Sequence, residues 1–93
     1  MTTLTEIKKK EQETLKALAE KVNGVYEGPE IAYVPCVEVT RDRDGEQATV
    51  GYDPFLGYTF IFPLLGECSE YSTEKGVLNR VEKWKNERIR TDA

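Results

Sequence analysis

The chain has 93 residues, 39% of them hydrophobic, with one Trp, five Tyr, three Phe and a formal charge of −4. That length supports a single domain over residues 1–93, burying roughly 60–65% of its unfolded surface, and the aromatic content excludes a disordered tail. No apolar run is long enough to span a bilayer, and the absence of histidine removes Ser-His-Asp and Cys-His catalysis and any imidazole-dependent metal site.

The first element is an amphipathic helix from about Leu4 to Asn23. Thr3 and Glu6 have the spacing of a capping box. Leu4, Ile7, Leu15, Leu18, Ala19 and Val22 share one face, while residues 8–13 are charged or amide-bearing and solvated. Asn23-Gly24 supplies a left-handed stop. The segment Gly24–Pro29 reads as a loop with room for a short extended piece. A first strand is expected from near Ile31, with Pro35 inside it suiting an edge or a bulge.

Asp44-Gly45 is a strong hairpin signal. Taken as a two-residue turn, it pairs Arg43 with Glu46, Val39 with Val50 and Val37 with Tyr52. One face then carries Val37, Val39, Ala48, Val50 and Tyr52; the other carries Glu38, Thr40, Asp42, Gln47 and Thr49. After Asp53-Pro54-Phe55-Leu56-Gly57, a third strand, Tyr58–Phe62, places Tyr58 opposite Tyr52 and Phe60 opposite Val50. Leu64–Tyr71 reads as a loop. A second helix begins after Ser72 or Thr73 as N-cap and carries the stripe Val77, Leu78, Val81, Trp84 and Ile89. Trp84 is the expected core anchor.

The expected fold is therefore two-layer α+β, in the order α-β-β-β-α. A three-stranded antiparallel meander would have the N- and C-terminal helices on one face. Two surfaces follow. The outer sheet face would present Val34, Cys36, Glu38, Thr40, Thr49, Thr59 and Ile61. The strand Tyr58–Phe62 would be an aromatic edge open to pairing with another chain.

Charge is unevenly distributed. Residues 1–22 hold five lysines against four acids, residues 23–74 two arginines against ten acids, and residues 75–93 six basic residues against three acids. The acids of the middle favour a basic partner. The candidate contact residues are Asp42, Asp44 and Glu46 in the hairpin, Asp53, Phe55 and Leu56 in the following loop, and Thr59 and Ile61 on the sheet. The hairpin is too short for a calcium loop, and arginines stand where ligands would alternate. The basic second helix reads as a solvated face, so no direct nucleic-acid contact is expected.

Cys36 and Cys68 read as free thiols. The N-terminus runs straight into charged helix with no apolar signal region, so a cytoplasmic protein is expected, without cofactor or membrane contact. The favoured function is a non-enzymatic interaction module, an inhibitor or adaptor. The alternatives are a phage-encoded inhibitor of a host defence system, a structural homodimer, and a small-ligand protein using Asp53, Glu67 or Glu70 near the second helix.

Two local resemblances accompany this reading. The helix–three strands–helix order, with Gly28-Pro29 ahead of the first strand, resembles the double-stranded-RNA-binding domain. That family holds phosphates with a lysine cluster at the start of its last helix; Ser72-Thr73-Glu74-Lys75-Gly76-Val77 has one lysine, so RNA binding is not implied. Gly57-Tyr58, Pro63, Leu65, Gly66, Cys68 and Thr73-Glu74 look like the strand–loop–helix segment of HicB-type antitoxins. That likeness covers under a third of the chain, with Gly66 one place out of pattern, and both are analogies of fold alone.

Overall fold

The computed structural model describes residues 4–28 and 34–87. The order is α1 (Leu4–Val22), β1 (Val25–Glu27), β2 (Cys36–Thr40), β3 (Gln47–Asp53), β4 (Gly57–Phe62), a 3-10 turn (Pro63–Leu65), β5 (Glu67–Tyr71) and α2 (Glu74–Asn86). The class is α+β as expected. The sheet, however, has five antiparallel strands in the order β1-β2-β3-β4-β5, not three. The expected features at Thr3, Ile31 and Ile89, and the side chain of Leu4, lie outside the described residues.

Both extra strands come from segments read as loops. β1 pairs with β2 through Tyr26↔Val37, and β5 pairs with β4 through Tyr58↔Tyr71, Phe60↔Ser69 and Phe62↔Glu67. The second pairing corrects the expected aromatic edge, because β4 is an interior strand. Its apolar character on both faces follows from being enclosed by β3 and β5. The true edges are β1, three residues long, and β5, which carries Glu67 and Glu70. Short, charged edges resist pairing with another chain. β2 begins at Cys36, just after Pro35, whose missing N–H suits the end of a ladder.

The hairpin also differs from its sequence reading. Val37 pairs with Val50 and Val39 with Ala48, and the loop is Asp42–Gly45, closed by Arg41 N donating to Glu46 O at 2.8 Å. Asp44 N and Gly45 N both donate to Arg41 O, at 3.4 and 2.8 Å. Gly45 has φ +74°, the left-handed geometry that glycine adopts without strain. The register is displaced by two residues from the expected one. Because side chains alternate with period two, an even displacement leaves the faces unchanged. The apolar face was therefore correct although its partners were not.

Both helices pack on that face. Leu15, Leu18, Ala19 and Val22 of α1 meet Val37, Val39, Ala48, Val50, Phe60 and Phe62 of the sheet and Val77, Val81 and Trp84 of α2 in one buried cluster. α1 stops where expected. Asn23 is left-handed (φ 57°), and Gly24 N donates to Ala19 O at 2.8 Å while Asn23 N donates to Glu20 O at 3.4 Å, the bond pair of a Schellman stop. α2 is N-capped by Thr73, whose hydroxyl accepts from Gly76 N at 3.1 Å. From Thr5 to Thr14, no side chain of α1 is buried. The described core residues of the helix all lie in its C-terminal half.

Trp84 is fully buried and meets Phe60 and Phe62 edge-on, with centroids 6.0 and 5.5 Å away. Arg41, 3% exposed, lays its guanidinium 4.8 Å from the Trp84 ring. Its Nη1 donates to Trp84 O at 2.8 Å, and its Nε and Nη2 donate to the Asp44 carboxylate. Arg43 Nη1 donates to Glu87 O at 2.6 Å. The hairpin loop thus clasps the C-terminal end of α2, where exposed carbonyls attract cations.

A second ionic anchor ties β5 to α2. Arg80 Nε donates to Glu67 Oε2 at 2.7 Å, its Nη1 to Glu87 Oε1 at 2.8 Å, and its guanidinium lies 4.9 Å from the Phe60 ring. Hydrogen bonding from Arg80 holds the Glu67 carboxyl below its ordinary range, and the Arg41 hydrogen bonds do the same for Asp44. Both folded-state values lie below the unfolded ones. Their stabilisation is therefore complete above the ordinary carboxylate range and is lost as pH falls through the lowered values. A Glu67→Gln variant is expected to be less stable than wild type at pH 7, with the gap closing below about pH 4. Urea midpoints across that range measure it, and a constant gap would contradict the ion-pair account.

Candidate interaction surface

With both helices beneath the sheet, alternation sends Val25 and Glu27 of β1, Cys36, Glu38 and Thr40 of β2, and Gln47, Thr49, Gly51 and Asp53 of β3 to the opposite side. Thr59 and Ile61 of β4 and Cys68 and Glu70 of β5 join them. No described segment covers this face. Its carboxylates are Glu27, Glu38, Asp53 and Glu70, and no described lysine or arginine stands on the outward positions of its strands, although Arg43 and Lys85 border Glu38 and Thr40 at the hairpin end. Every described basic residue lies on α1, on α2 or in the Asp42–Gly45 loop and its flank, and both arginines there reach to α2. The two layers carry opposite charge.

The candidate contact residues fall into two groups at opposite ends of β3. About 20 Å of strand separates them, at roughly 3.3 Å per residue. At one end, Asp42 is exposed, Glu46 is half-buried, and Asp44 is committed to Arg41. Asp44 therefore builds the loop and presents little charge outward. At the other end, Asp53 Oδ1 accepts from Phe55 N at 2.7 Å and Leu56 N at 3.2 Å. That side-chain turn holds Phe55 (80% exposed) and Leu56 (78% exposed) out in solvent. Thr59 and Ile61 lie between the groups, half-buried on the outer face.

A shallow depression of about 330 Å³ opens on the face beside the Phe55-Leu56 tip. Val34, Cys36, Thr49, Gly51, Thr59 and Ile61 line it, and Glu11 and Asp53 bring carboxylates to its wall. Val34, Cys36 and Ile61, all expected on the outer face, thus meet at one apolar centre. Asp53, Glu67 and Glu70, considered above as ligand-binding acids, do not converge. Glu67 turns inward to Arg80, Glu70 turns outward opposite Thr59, and Asp53 caps the tip.

On the β1–β2 side of the face, the carboxylates of Glu27 and Glu38 and the thiol of Cys36 lie within 4.8 Å of one another. Glu38 Oε1 accepts from the Thr49 hydroxyl at 2.9 Å. Partial burial, then the charges of Glu27 and Glu38, push the Cys36 thiol up. It stays protonated near neutrality and is a weak nucleophile there.

Sequence reasoning missed Glu27, whose place on the face needs β1 to be recognised, and Gly51. A glycine inside a strand pattern is itself a signal of close backbone approach, and it went unread. It also missed the exposed pair Leu64 and Leu65 in the 3-10 turn. Comparison of the chain with protein-family models, with curated proteins and with solved structures gives no match. No helix among the described residues is long and apolar enough to cross a membrane.

Proposed function

We propose that this chain is a non-enzymatic protein-interaction module, of inhibitor or adaptor type, that docks a basic protein surface on the outer face of its sheet. The observation that carries this reading is the uncovered face itself, with four carboxylates, no described lysine or arginine on the outward positions of its strands, and a depression with an apolar centre near the Phe55-Leu56 tip. An apolar centre within a polar rim is the anatomy of a contact patch. Five strands about 4.8 Å apart, of three to seven residues at about 3.3 Å each, give a platform of at most about 400 Å² in projection. A stable interface uses about 800 Å² per partner, so the partner also reaches the Phe55-Leu56 tip.

Homodimerisation through the same face would set four carboxylates against four, and like charges in apposition are costly. A partner of opposite charge fits better. The absence of histidine and the divergence of Asp53, Glu67 and Glu70 support the non-enzymatic reading.

The test compares proteins captured from the native host by wild type, Phe55→Ser and Glu38→Lys/Glu70→Lys. Truncating an aromatic anchor weakens a complex by about 2 kcal/mol, about 30-fold, and the charge reversal repels a basic partner. The basic proteins held by wild type are therefore expected to be lost from both variants and released by salt. An identical captured set from all three would reject the outer face as the docking surface.

A further inference from the structure

Gly51 occupies the middle of the central strand, and nothing in the chain's own structure requires a glycine there. The pairing runs unbroken through Thr49↔Ile61, Gly51↔Thr59 and Asp53↔Gly57, so there is no bulge. Gly51 is absent from the positive-φ positions, and a Cβ built on it meets only Thr59 Cβ, at 3.9 Å, an ordinary contact. Glycine weakens a strand interior and, without a bulge, marks a place where something else approaches the backbone closely. That place is the floor of the depression.

We propose that the depression seats one long basic side chain, a lysine or arginine, presented by the protein partner. This rests on the outer-face reading and adds what the face grips. Lysine and arginine have an apolar stem and a charged head that separate naturally between apolar surface and carboxylates. The stem lies across Gly51 between Thr59, Ile61 and Val34, and the head meets the carboxylates of Asp53 and Glu11. Asp53 spends Oδ1 on its own turn, and Oδ2 takes no part in that turn. A volume of about 330 Å³ is at the small end for ligand pockets, and the site is open. It suits one side chain carried on a larger surface.

The test is a nuclear magnetic resonance titration of the full chain with an alternating glycine–lysine decapeptide. A second decapeptide has diaminobutyrate in place of lysine, charged like lysine at about pH 6 but with two fewer methylenes per side chain. Shifts are expected at Gly51, Thr59 and Ile61, with the lysine peptide binding about tenfold more tightly. Gly51→Val fills the floor and is expected to abolish that preference while melting no lower than wild type. Glu20→Gln, on the exposed side of α1 and off the outer face, keeps it. Equal binding of both peptides on the outer face overturns the seat and leaves the docking face standing. Shifts absent from the whole outer face overturn both. If Gly51→Val does not fold, Gly51→Ala and the two-peptide comparison on wild type still decide.

Discussion

Replacing Trp84 by alanine is expected to remove about 3–5 kcal/mol of folding stability. A domain of this length holds about 5–14 kcal/mol in total, so the variant stands close to unfolding. The reason is position more than size. Trp84 closes the cluster between β4 and α2, touches Phe60 and Phe62 edge-on, and carries the Arg41 guanidinium over its ring. Its indole Nε1 is buried with no hydrogen-bond partner, an unfavourable feature that phenylalanine would lack. Trp84→Phe is therefore expected to cost much less than Trp84→Ala in chemical denaturation. Equal losses for the two would show that a phenyl ring fills the site no better than a cavity.

The second large effect is at the clasp. Arg41→Ala removes a buried guanidinium together with its hydrogen bonds to Trp84 O and to the part-buried Asp44 carboxylate, which frees the C-terminal end of α2 and is expected to lower the thermal midpoint by several degrees. Removing only Asp44 leaves a buried guanidinium without its carboxylate. Replacing both, as Arg41→Met/Asp44→Ala, removes charge and counter-charge together and is expected to be milder than Asp44→Ala alone. Thermal midpoints of the three variants test this order. Asp42→Ala, on an exposed side chain of the same loop, is the control and should leave the midpoint nearly unchanged. If Asp44→Ala melted like Asp42→Ala, the clasp would not support the fold. The clasp also bears on function, because neutralising Asp42, Asp44 and Glu46 together would perturb the hairpin along with its charge.

What could be read from the residues was whatever local chemistry determines alone. The stripe Val77, Val81, Trp84 has helical spacing whatever lies beneath it, and Thr73 and Asn23-Gly24 mark helix ends by their own hydrogen bonding. Strand parity survived even a misplaced turn. The missing strands failed for a physical reason. β5 turns Glu67, Ser69 and Tyr71 inward, and the Arg80 ion pair supplies much of what an apolar row would supply elsewhere. Hydrophobic alternation is silent there. β1 is three residues long, too short to show a period. Arg41 reads as a charged turn residue until Trp84, distant in sequence, is placed beneath it. Of the candidate surface, Val34, Cys36, Thr59 and Ile61 were visible from alternation. The separation of the acids into two ends was not, because it depends on which carboxylates the fold uses for itself.

The outer face carries four carboxylates and no cation on its strands, whereas α1 holds five basic residues against four acids and α2 four against two, so the net charges of the two layers differ in sign along their short axis. Near a positively charged surface, such a particle is turned before it touches, because the torque acts beyond contact range. Collisions in the wrong orientation become rarer, and capture accelerates at low ionic strength. For the proposed basic partner, the arrangement of helices on one side would then act as a compass for the encounter as well as a support for the sheet.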